Sequence, residues 1–295
     1  MWQTKRLTKQ FFKTPKDMLK KGLILLFFLL VLLFVKDWMI EDDGVWTPNY
    51  PKIDLEHIVD KKELTEADYH RIFLQTGLGE EAVDELRLRK VGENRERAFF
   101  NYQDAFFSSG NYECRLVSSI VFEERIRDKE GNLMVGFEIP SLKNGDILIT
   151  KATHSAGWRH GHAAIVVDAA KGETLEAIVL GNPSATGNIL KWQTYPSFIV
   201  LRLKEENQKD AEKIAEFAYE KILGVPYGLL TGIPEKAPDK IKKTQCAHLV
   251  WYPYEKFGYD IDSDGSWLVT PKDIVSSDLL EVVQVYGVNP EKLWP

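Results

Sequence analysis

Cysteine is nearly absent from this sequence: 295 residues hold two, Cys114 and Cys246. Two are too few for a disulfide scaffold or a four-cysteine zinc site. Positive charge is in deficit as well, with 38 Lys and Arg against 44 Asp and Glu for a net −6. Neutralising a phosphate backbone requires a basic face, so the acidic total excludes a general nucleic-acid binder. Internal repeats and low-complexity tracts are missing, and there is one long unbroken apolar run, from Gly22 to Val35. That excludes a polytopic membrane chain. What remains, 44% hydrophobic and 28% charged, is the make-up of a folded globular protein of about two average domains.

The charge is unevenly placed. Lys5, Arg6, Lys9, Lys13, Lys16, Lys20 and Lys21 stand against Asp17 alone, so residues 1–21 carry +6 and the remainder −12. The apolar run follows at once. Its 14 residues cover about 21 Å, short of a ~30 Å hydrocarbon core. Extension past Lys36 and Asp37 to Trp38, Met39 and Ile40 gives a workable span. A basic stretch before a short apolar one also suits a cleaved signal peptide, which would leave the body secreted, but no small-x-small cleavage site follows. The expectation is an uncleaved transmembrane signal anchor over 22–40, a basic cytoplasmic tail over 1–21, an extracytoplasmic body and the lipid bilayer as a partner.

Residues 41–62, with Gly44, Pro48 and Pro51 and no periodicity, read as a linker. Residues 63–135 read as a helical preamble. Thr65 and Asp68 outline a capping box, Tyr69, Ile72 and Phe73 keep helical spacing as far as Gly77, and Glu80 to Leu88 forms a second helix. Phe99, Phe100, Tyr102, Phe106 and Phe107 are expected to pack as core, and Cys114, with no His nearby in sequence, as a small buried hydrophobe. From about 140 the texture changes to short strands at Asp146–Thr150, His162–Val167, Thr174–Leu180 and Phe198–Leu203. Ala211, Ile214, Ala215, Ala218 and Ile222 then mark an amphipathic helix ended by Gly224 and Pro226, and another helix starts at Thr244–Cys246. Strands in succession flanked by helices indicate an α+β domain with a largely antiparallel sheet over 140–287.

Cys246 is the residue with the most chemistry. At a helix start, unpaired backbone N–H groups and the positive dipole end favour a thiolate. A neighbouring imidazole promotes the thiolate and later protonates the leaving group. His162 follows Gly161 at the opening of a strand, where a side chain can project from the sheet edge. Glu176 on the next strand can orient that imidazole if the two share a face. A four-residue turn, Ala169–Gly172, puts them on opposite faces and a five-residue turn, Ala169–Glu173, brings them together; Asn182 is the substitute.

Gly145-Asp146-Ile147-Leu148, Gly161-His162-Ala163-Ala164-Ile165-Val166, Leu175-Glu176-Ala177, Gly224-Val225-Pro226-Tyr227 and Gln245-Cys246-Ala247-His248-Leu249-Val250-Trp251 occur in that order. This order resembles the circularly permuted branch of the NlpC-type papain-like fold, the group that includes YiiX-like proteins. The resemblance covers about 140–287 and nothing before it. It implies a permuted papain-like antiparallel sheet packed on helices. By position it implies Cys246 as nucleophile, His162 as general base and acid and Glu176 as the orienting residue, in a cysteine amidase or peptidase that needs no cofactor. Tyr227 matches a tyrosine that lines the site in related enzymes, as an oxyanion donor or a packing group. Pro253, seven residues after Cys246, departs from the pattern and should kink or stop the helix. The expected function is a membrane-anchored extracytoplasmic cysteine hydrolase acting on peptides, above all cell-wall peptides. A lipid-directed thiol acyltransferase of the same fold and a catalytically silent binding module are the alternatives.

Metal chemistry is the rival. His160 and His162 on one strand face, with His154 and Cys246, would make a zinc set, but Gly161 between them makes a clean strand doubtful. Asp260, Asp262, Asp264 and Gly265 match the opening of a calcium loop whose twelfth position is Pro271 instead of a bidentate Glu; Asp273 lies two beyond. A polar turn of self-satisfying Asp side chains explains the same spacing, so no metal is expected.

Overall fold

The computed structural model describes residue 20, residues 22–31 and residues 44–294 apart from 109, 119, 156, 157 and 234. The chain divides into two units, 1–41 and 42–295. In the first, residues 22–31 are helical with exposed side chains. Such a segment rises about 15 Å, half a hydrocarbon core. Among the described residues, no helix is long and apolar enough to cross a membrane. The transmembrane helix expected over 22–40 is therefore not supported, and neither is the single-pass, extracytoplasmic placement drawn from it. Residues 32–40, and the tail other than Lys20, lie outside the described residues.

The second unit opens with helices α1 (Glu56–Val59), α2 (Glu66–Thr76), α3 (Glu80–Arg89) and α4 (Glu93–Phe106). The capping box is present: Thr65 accepts from the Asp68 backbone N–H, the Asp68 carboxylate accepts in return, and Gly77 ends α2 at a φ of 72°. Two strands, β1 (Tyr112–Leu116) and β2 (Phe122–Ile126), follow and pair with β4 (Thr153–His154) in a three-stranded antiparallel sheet. The preamble is thus helical only as far as residue 106. Every residue of the edge strand β1 is exposed, so Cys114 has no core to enter; it is solvent-exposed, with its Sγ 3.4 Å from His154 Nε2. The segment read as a linker packs instead. Trp46 donates its backbone N–H to the Gly287 carbonyl, and Leu55, Ile58 and Val59 are buried. Its described helix is one turn long, too short to show a period.

The larger sheet has six strands, β3 (Ile147–Thr150), β5 (His162–Asp168), β6 (Glu173–Glu176), β7 (Ala185–Asn188), β8 (Phe198–Leu203) and β9 (Leu280–Tyr286). Their spatial order is β7-β6-β5-β3-β8-β9, with every pairing antiparallel. Alternate residues of a strand face opposite sides. Ile147, Ile149, Ala163, Ile165 and Leu175 pack with Ile214, Ala218, Leu249 and Val250. These last four come from α6 (Ala211–Ile222) and α7 (Cys246–Lys256). Leu148, Ala164, Val166 and Val200 pack instead with Ile72, Val83 and Phe99 of the early helices and with Trp192, at the end of α5 (Ile189–Trp192). Full burial of each large aliphatic side chain contributes about 1.5–3 kcal/mol, so both layers are anchored through the central strands β3, β5 and β8.

Two features fix the layers. Gly79 donates its N–H to the Val283 carbonyl at 2.9 Å, and a Cβ there would collide with the Val282 carbonyl oxygen, so the early helices are locked to β9. Asp146, buried at the start of β3, accepts from Arg202 Nε at 2.7 Å and Nη2 at 2.6 Å. The Gly-Asp-Ile-Leu motif is therefore structural. Helix α7 runs through Pro253 to Lys256 without stopping there; the residues around the proline are buried, and their packing outweighs the lost backbone bond. α8 (Pro271–Val275) follows, with a second capping box between Thr270 and Asp273.

Candidate active site

Strand β5 opens at His162 after Gly161, whose φ is 68°, and a Cβ at Gly161 would stand 2.8 Å from the Thr150 carbonyl oxygen. Only glycine fits both demands. Thr150 is the register partner of His162, which leaves the imidazole at the end of the sheet. The hairpin to β6 closes with the four residues 169–172, a count that by itself would put His162 and Glu176 on opposite faces. A β-bulge at Val167, between the pairs Val166–Thr174 and Asp168–Glu173, supplies the extra residue. Glu176 pairs with Ala164 and shares a face with His162, two residues earlier. His162 Nε2 stands 2.9 Å from Glu176 Oε2. The bulge does what a longer turn would have done.

Glu176 is 1% exposed. Oε2 also accepts from Lys191 Nζ at 2.7 Å, and Oε1 accepts from Thr174 Oγ1 at 2.9 Å and Trp192 Nε1 at 3.3 Å. Burial opposes ionisation, but the hydrogen bond from His162 and the charge of Lys191 hold the carboxyl well below the usual carboxylate range. Trp192 stacks on the imidazole, 5.5 Å between centroids and 9° from parallel. With Nε2 engaged by Glu176, Nδ1 is the ring nitrogen left for Cys246. Burial works against a charged imidazole, yet hydrogen bonds with Cys246 and Glu176 outweigh it and lift His162 to about 9.

Cys246 is the first residue of α7 and 9% exposed. Gln245 caps the helix: its Oε1 accepts the Ala247 N–H at 2.8 Å and lies 3.5 Å from the Cys246 thiol, while its Nε2 donates to the Val269 carbonyl at 2.7 Å. The Cys246 N–H, at the first helical position, has no helix carbonyl before it to accept. Tyr227 approaches through a parallel bridge to Thr244. Burial, then the proximity of Cys246, pushes its phenol well up, so the hydroxyl stays protonated as a donor. The structure thus groups Cys246, His162, Glu176 and Tyr227.

Asn182 is exposed in the turn after residue 176, so Glu176 is the group on the imidazole. His248 is wholly buried, with Nδ1 3.2 Å from Thr244 Oγ1 and Nε2 2.9 Å from the Lys236 carbonyl; burial chiefly lowers it to about 4, and it ties α7 to its neighbour as a neutral ring. The rival zinc set stays apart. His160 lies against Ser155 Oγ and the Gly161 carbonyl, and His154 against Cys114 and Glu124. Of the calcium-loop residues, Asp260 accepts from Trp251 Nε1 at 2.7 Å, whereas Asp262 and Asp264 gather with Asp273. Lys191, Trp192 and Gln245 had no stated role in the sequence. Gln245 was legible as the residue before a helix-heading cysteine; Lys191 and Trp192 belong to a one-turn helix whose place over Glu176 has no local signature.

No family model matches the chain, and no curated protein matches it. Among solved structures, a weak neighbour is the metalloprotein yiiX from Escherichia coli O157:H7, at 15% identity and a TM-score of 0.39, over 48% of this chain and 97% of that one. That protein is described as a metalloprotein, and the likeness does not support the thiol-protease family expected for this chain. The likeness is YiiX-like at that coarse level, in a mixed α/β molecule with antiparallel sheets.

Proposed function

We propose that the chain is a cysteine-dependent amide hydrolase of the permuted NlpC-type papain-like kind. One observation supports this above all others: the imidazole of His162, bonded through Nε2 to a buried carboxylate, has its pKa raised by the neighbouring thiol of Cys246 at a helix N-terminus. His162 takes the Cys246 proton, and Sγ attacks the carbonyl carbon. The oxyanion is met by the Cys246 N–H and the Tyr227 hydroxyl. His162 then protonates the departing amine as the C–N bond breaks, leaving a thioester. Water, deprotonated by His162, attacks that thioester, the C–S bond breaks, and the proton returns to the thiol. Glu176 keeps the imidazole oriented and supports its charge in both halves.

Peptides, cell-wall peptides first, are the substrates to try, with acyl lipids as the alternative for the same thioester chemistry. The low exposure of Cys246 also suits a silent binding module. Incubation with muropeptides and with acyl esters, followed by acid quench and mass measurement, separates these readings. An acyl group on Cys246 that is lost in Cys246→Ala supports the hydrolase, and the acyl donor names the substrate. No adduct and no turnover with either class would end the proposal.

A further inference from the structure

The loop leading to α8 gathers three carboxylates that the proposed chemistry does not use. One oxygen from each of Asp262, Asp264 and Asp273 lies within 4.8 Å of those of the other two. Each residue already spends an oxygen on local structure. Asp273 Oδ2 closes the capping box with the Thr270 N–H and hydroxyl, both at 2.7 Å. Asp264 Oδ1 accepts the Ser266 N–H at 2.8 Å. Asp262 Oδ2 pairs with Lys236. The residue is 6% exposed and its side chain fully buried, yet Asp262 Oδ1 has no hydrogen-bond partner.

An orphaned carboxylate oxygen beside two more carboxylates is costly. A buried acceptor left unsatisfied forfeits its desolvation, and like charges this close repel. One ammonium faces three carboxylates and reaches only one oxygen of Asp262. The imbalance is two negative charges. The donor set is all oxygen, anionic and partly open at Asp264, which is exposed. These are the ligand types of a hard divalent cation that keeps some of its water.

We propose that Asp262, Asp264 and Asp273 form a binding site for a divalent cation of the calcium type, entered from the Asp264 side. Lys236 stands at its inner wall as partial counter-charge. Asp260, the first residue of the sequence motif, is excluded because it holds Trp251 Nε1. The site lies outside the Cys246–His162 pair, and its role is to fix the loop that ends at Val269, whose carbonyl holds Gln245. The proposal stands whether or not the chain is a hydrolase.

Terbium, a luminescent substitute for calcium, gives the test on the full chain. The Trp251 ring lies 4.8 Å from Lys236 Nζ, so tryptophan excitation should sensitise terbium bound at Asp262. The expected result is saturable emission that excess calcium displaces, a calcium-dependent rise in Tm, and at least a tenfold loss of affinity in Asp264→Asn. Asp264 is exposed, so that variant should fold; Asp262→Asn serves as the second. Emission that calcium does not displace, or that persists unchanged in both variants, would overturn the assignment. So would the absence of both emission and Tm shift.

Discussion

Trp192, Lys191 and Thr174 hold Glu176, and Glu176 holds His162. At the scale of single residues this support makes the proposed roles separable. Cys246→Ala should abolish turnover while leaving the melting curve nearly unchanged, since the loss of one sulfur atom at a helix end costs little packing. His162→Ala should lower kcat/KM by about 10²–10⁴-fold, the usual worth of a positioned acid–base group. Lys191→Met tests the electrostatics. Lys191 presses the His162 pKa down from its raised value, so its removal should move the alkaline limb of the pH–rate profile to higher pH. A limb that moves down or stays put would show that Lys191 does not act on the imidazole.

Elements carry the next level of cost. Asp146 and Arg202 form a buried, bidentate pair between β3 and β8, with side chains 1% and 2% exposed. Removing Asp146 leaves the buried Arg202 guanidinium with Glu81 as its carboxylate partner, so Asp146→Ala should lower unfolding stability by about 3 kcal/mol in urea titration, the low end for a broken buried pair. A loss under 1 kcal/mol would show that the pair does not hold the strands. The sequence revealed those elements whose pattern lies within themselves. The capping box at Thr65, the stripe Ala211, Ile214, Ala215, Ala218 and Ile222, and the strands at 147, 162 and 198 all carry their own period. What it hid depends on distant partners. Strand β9 and the hairpin β1–β2 gain their identity from pairing, and the short helices α1 and α5 are single turns with no repeat to read. The relation of His162 to Glu176 hinged on a bulge at Val167 that turn length cannot disclose. The apolar run at the N-terminus asks for a membrane by composition, yet among the described residues no helix is long and apolar enough to cross one.

On the scale of the whole molecule, pH links the site to stability. His162 is raised from 6.5 to about 9 in the fold, so the stability it contributes is complete below about 6.5. It is lost as pH climbs through 9. Glu176 is depressed, so its contribution is complete above about 4.3 and is lost as pH falls toward its folded value. Maximal stability is expected between these two limbs, and His162→Ala should flatten the alkaline one in thermal melts across pH 6 to 10. The account turns on a thiol and an imidazole acting as a pair, and alkylation reads that pair directly. Iodoacetamide labelling of Cys246, followed by peptide mass mapping with Cys114 as the internal reference, should be faster than that of Cys114 near pH 7. It should drop about tenfold or more in His162→Ala, because the thiolate is the reactive form. If Cys246 instead labels no faster than Cys114, at a rate indifferent to His162, the pair does not exist as a chemical unit.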